Sequence, residues 1–87
     1  MVVLKITDVV RTSELVYYMD EFDAKAVCNL FGNEQTARIR FRIENTATGK
    51  KHLTVQLLDK VDYPLLQLQI ELKQLIQELI DNDALPL

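Results

Sequence analysis

The sequence predicts an α+β domain. Its expected core is an antiparallel sheet of about four strands in meander order, with one C-terminal helix across one face. Three observations carry this reading. Residues 37–44 alternate apolar and polar side chains. A loop cluster at 46–50, with Gly49, separates that run from a second alternating run. Residues 63–82 place leucines at three- and four-residue spacing. The runner-up is a β-α-β-β-α order.

The first element is expected over residues 2–10, which are rich in Val, Leu and Ile. Leu4 and Ile6 share one face there, and Lys5 and Thr7 the other. Residues 13–31 admit two readings. As a helix they start at Ser13 and stop at Gly32. As strands they divide into 14–19 and 24–31, joined through an acidic turn at Asp20, Glu21 and Asp23. Val16, Tyr17 and Tyr18 favour strand.

Register supports the strands. Residues 32–35 form a turn cluster, and pairing Phe31 with Thr36 sets Leu30 against Ala37, Cys28 against Ile39, Ala26 against Phe41 and Ala24 against Ile43. The other parity then places Asn29, Val27 and Lys25 opposite Arg38, Arg40 and Arg42. In the next hairpin, Asn45 pairs with Lys51, which sets Ile43 against Leu53, Phe41 against Val55 and Ile39 against Leu57. The same face stays apolar across three strands.

The helix over 63–82 is expected to start with Asp62 as its cap and Pro64 in its first turn. Leu65, Leu68, Leu72, Leu75, Leu79 and Ile76 make its core stripe. Its length, at ~1.5 Å per residue, matches strands of ~3.3 Å per residue, so it can span the sheet. Asp81, Asp83 and Pro86 mark its end.

The chain of 87 residues makes one domain. Hydrophobic residues at 48% and charged residues at 26% suit a globular fold. With one Cys and one His, neither an internal disulfide nor a standard zinc site is expected. No cofactor is expected either. No apolar run reaches the ~18 residues of a membrane span and no signal peptide opens the chain, so a reducing cytoplasm is the expected compartment. A domain this small buries only about 60–65% of its unfolded surface. Oligomerisation is the common remedy left to it, so a homodimer is the expected state.

Charge is segregated. Residues 1–35 carry three basic and six acidic groups, residues 36–60 six and two, and residues 61–87 one and five. Mutual neutralisation within the fold explains this, and so does a basic binding surface. Arg38, Arg40 and Arg42 share one face at about 7 Å spacing, with Gln56, Thr54 and His52 beside them and Lys51 at the loop. Such a face suits an acidic protein partner, since each guanidinium offers a planar fork of donors. Nucleic acid is a weaker candidate, because the net charge is −3 and stacking aromatics are few. A second candidate surface lies on the helix, where Leu66 and Ile70 point away from the core stripe among Gln67, Gln74 and Gln77.

Cys28 reads as a small buried hydrophobe, since His52 lies on the other parity. No Gly-rich phosphate loop or catalytic set stands out, so the expected function is non-catalytic: a homodimeric interaction module. The alternative is an anion- or nucleic-acid-binding domain using the arginine face.

Overall fold

The computed structural model describes residues 2–12 and 19–86. It contains β1 (Val3–Arg11), β2 (Met19–Leu30), β3 (Asn33–Asn45), β4 (Lys51–Leu57) and α1 (Leu65–Asp81). The strands form one antiparallel sheet in the order β1-β2-β3-β4. This is the expected meander with its C-terminal helix. Met19–Leu30 is strand, so the β-α-β-β-α order is not adopted. The strand expected over 14–19 falls, apart from Met19, outside the described residues.

The inner face follows from alternation. Phe22, Ala24, Ala26, Cys28 and Leu30 of β2 join Ile39, Phe41 and Ile43 of β3 and Val55 of β4 in one buried cluster. Phe22 stacks on Phe41 with ring centres 5.1 Å apart. Leu68, Leu72 and Ile76 of α1 complete the cluster, sharing it with the small Ala24 and Ala26.

The β3–β4 register is as expected: Asn45 faces Lys51, and Phe41 faces Val55. The β2–β3 register differs from expectation by four residues. Ala26 faces Ala37, Ala24 faces Ile39, and Phe22 faces Phe41. The turn is the cause. It is not a cluster at 32–35 but the pair Phe31–Gly32, flanked by Leu30 and Asn33. Both turn residues have positive φ, 53° and 81°, as a tight two-residue hairpin of type I′ needs. Phe31 is a bulky side chain in a conformation that favours Gly or Asn, and it is 85% exposed.

The acidic segment is no turn either, since Asp20, Glu21 and Asp23 lie within β2. In β1 the pairing shifts between Val3 and Lys5 and again between Thr7 and Val10. These bulges overturn a simple alternation, and Leu4 is 48% exposed.

The helix starts later than expected. Pro64 occupies the cap position without a side-chain hydrogen bond, so Asp62 does not cap it. Leu65 is 59% exposed and leaves the core stripe. The buried row runs along Leu68, Leu72 and Ile76, at four-residue steps. At the other end Asp83 adopts φ 53°, with the Asp83 amide donating to Ile80 and the Ala84 amide to Leu79. That is the Schellman pattern, here with Asp at the left-handed position. It turns residues 84–86 back, so that Leu85 packs on the core.

Neighbouring positions on α1 bind the two edge strands. The Gln69 side chain donates to the Val55 carbonyl of β4 at 2.9 Å. Glu71 accepts from the Val3 amide of β1 at 2.9 Å and from Gln67 at 3.0 Å. Glu71 is buried, and burial pushes its carboxyl up. The Val3 and Val2 amides and Gln67 more than offset this and leave it below its usual value.

Candidate functional site

The outer face of β3 carries the arginines. The four-residue difference in register keeps every side chain on its expected face but changes its neighbours. Lys25 faces Arg38, Asp23 faces Arg40 and Glu21 faces Arg42. Asn29 and Val27 lie further along, opposite Glu34 and Thr36. Two carboxylates thus stand where uncharged groups were expected.

Each arginine has an acidic partner. Arg40 Nε donates to Asp23 at 2.8 Å, and Arg42 Nη2 to Glu21 at 3.1 Å. Arg38 forks onto Asp59, with Nη2 at 2.7 Å and Nε at 3.1 Å from Oδ1. Asp59 also accepts the Arg38 backbone amide at 2.8 Å. The hydrogen bonds of Arg38 hold the Asp59 carboxyl down from 3.8 to about 2. Asp59 in turn holds the Arg38 guanidinium above its usual value, and Asp23 does the same for Arg40. The segregated charge of the chain is therefore met, in these pairs, within the fold.

Arg40, Arg42, Gln56 and Thr54 line one shallow depression together with Glu21. Lys51 does not join them. It stands at an inward position of β4, in phase with Leu53 and Val55, and lines a cavity on the helix side with Arg11. The sequence reading placed it at the loop without assigning it a face.

The helix surface holds the second candidate. Leu66 is 76% and Ile70 46% exposed, and the exposed Leu65 joins them. Between Tyr63 and Gln77 the only charged residues are Glu71, which is buried, and Lys73. The exposed surface of this stretch is otherwise Leu, Ile and Gln. Interface cores are depleted of charge in this way, whereas solvated helix faces are commonly rich in Glu and Lys.

Two residues important to the surface were not legible in spacing. Asp59 and Glu71 each act through a contact distant in sequence, with Arg38 and Val3. Cys28 is buried as expected. Burial, with the charge of Glu71 adding to it, pushes its thiol up and away from nucleophile behaviour. His52 is exposed and faces Glu44 on β3, so it pairs with a different strand from Cys28. Among the described residues no group of three or more His, Cys, Asp and Glu is placed to hold a metal ion. None of their helices is long and apolar enough to cross a membrane.

No curated protein and no solved structure matches the chain. A family model does, over residues 1–81, which takes in the whole sheet and the helix. The chain thus belongs to the BB-0187 family.

Proposed function

We propose that this protein is a non-catalytic interaction module that works as a homodimer through the outer face of α1. The observation that carries the reading is the exposed apolar group of Leu65, Leu66 and Ile70 on a helix face almost without charge. A second copy is the occupant that fits. An uncharged patch offers no charge pattern for a charged partner to match, but it meets its own image across a two-fold axis without repulsion. Antiparallel crossing near Ile70 would bring Leu66 of each helix towards the glutamines of the other, which can both donate and accept. The small size of the domain supports the same conclusion, since dimerisation adds buried apolar area.

The arginine face is the weaker reading, because Arg38, Arg40 and Arg42 are already paired with carboxylates. An anion there would have to displace Asp59, Asp23 or Glu21.

The test is the double variant Leu66→Glu with Ile70→Glu. Both side chains are exposed, so the sheet and its packing stay intact. The expected result is a folded, cooperatively melting monomer by analytical ultracentrifugation, where the wild type sediments as a dimer. A variant with the wild-type sedimentation would remove this surface from the reading.

A further inference from the structure

The bulges of β1 change which side chains face the helix. Unbroken alternation from Ile6 would bring Asp8 and Val10 inward and leave Arg11 outside. The pairing shift between Thr7 and Val10, with Asp8 at φ 53°, reverses this. Val10 is 59% exposed, while the Arg11 side chain is only 16% exposed. An outward valine and an inward guanidinium both work against stability. Backbone outliers that expose apolar groups and bury charge are characteristic of binding sites.

Arg11 is not fully satisfied where it stands. It donates to Asp20 and lies over the Phe22 ring at 5.7 Å. Its Nε is shut off from solvent and has no hydrogen-bond partner. The residue forms part of the wall of a cavity of about 200 Å³ at the C-terminal end of α1. Lys51, Asp20 and Asp83 supply the other charges of that wall, and Ile43 and Leu85 are among its apolar groups. Asp83 is itself left-handed, and its helix stop brings Leu85 into place. Two of the three described non-glycine residues with positive φ therefore shape this one cavity.

The chemistry of the wall selects a ligand class. Two cations and two carboxylates cancel, so neither a simple anion nor a simple cation is favoured. Both signs beside an aliphatic wall match a zwitterion with an aliphatic side chain. The volume is that of about six or seven waters, below the ~300 Å³ of pockets for drug-sized molecules. We propose that this cavity binds a free aliphatic amino acid of the size of leucine. Its carboxylate meets Arg11 and Lys51, its ammonium meets Asp20 and Asp83, and its side chain lies on Ile43 and Leu85. The site is separate from the dimer surface, which lies in the first half of α1.

The experiment is an NMR titration of the full chain with three probes. They are L-leucine, 4-methylpentanoate, which lacks the ammonium, and 3-methylbutylamine, which lacks the carboxylate. Leucine is expected to shift amides of Arg11, Asp20, Lys51 and Leu85, with each single-charge probe roughly tenfold weaker or more, the weight of one charged hydrogen bond. Lys51→Gln, at an exposed position that the fold does not need, is expected to weaken leucine by a similar factor. Absence of shifts up to the solubility of leucine would overturn the proposal. Equal binding of 4-methylpentanoate, or unchanged affinity in Lys51→Gln, would overturn it as well.

Discussion

The outer face of β3 and the outer face of α1 are both exposed, yet they differ in what they leave over. The arginine face contains strong recognition groups, and the fold answers them. Asp59, Asp23 and Glu21 take Arg38, Arg40 and Arg42. The helix face contains weaker groups, and the chain does not answer them: Leu65, Leu66 and Ile70 stand in water. The difference teaches that residue type is a poor guide to a free surface. The internal partner decides, and it is known only once the register is known.

The largest expected effect separates the two faces directly. Leu66→Glu with Ile70→Glu raises the dimer dissociation constant by about a hundredfold or more, since two apolar contacts of each copy become like charges facing each other. Arg40→Gln leaves the same constant unchanged. Concentration-dependent sedimentation reads both. Equal effects would erase the distinction between the faces.

Next in size is Glu71, the carboxylate that ties α1 to the edge strand. Glu71→Ala leaves the Val3 amide without its acceptor, and a stability loss of roughly 1–3 kcal/mol is expected in urea unfolding. No loss would mean that water replaces the carboxylate freely at that edge.

The Phe31 turn sharpens the contrast from the other side, because a large apolar group is there both exposed and strained. Phe31→Asn removes no burial and suits the left-handed backbone, so it is expected to stabilise the fold by about 1 kcal/mol. A loss of stability would show that the Phe31 ring has a partner.

The smallest effect concerns the charge pairs. The folded pKa of Asp59 is depressed to about 2. Its contribution to stability is therefore present above its ordinary value near 3.8 and is lost as pH falls from there towards 2. Arg38→Gln is expected to return the Asp59 carboxyl towards ~3.9 in an NMR titration and to flatten the acid limb of stability. An Asp59 that titrates low in both proteins would contradict the pairing.

Much of this fold was legible in the sequence because the informative signals are local. The alternation from Ala37 to Glu44, the loop with Gly49 and the leucine spacing fix β3, β4 and α1. The β2–β3 register was not, because its turn rests on Phe31, which carries no turn signal. The slip was even, so the inner face survived while the outer neighbours changed. For that reason the core was read correctly, and Asp23 and Glu21 were not seen as arginine partners. The bulges of β1 were hidden for a similar reason, since Asp8 is tolerated in left-handed backbone but does not announce it. Leu66 and Ile70 were legible as exposed because helical spacing alone places them.

The most direct measurement is the mass of the wild-type chain in solution, by light scattering at high micromolar concentration, in low and in high salt. An apolar helix interface predicts the mass of two chains in both, since salt screens charge pairs and leaves apolar burial intact. The mass of one chain in both, or of two chains in low salt alone, would contradict it.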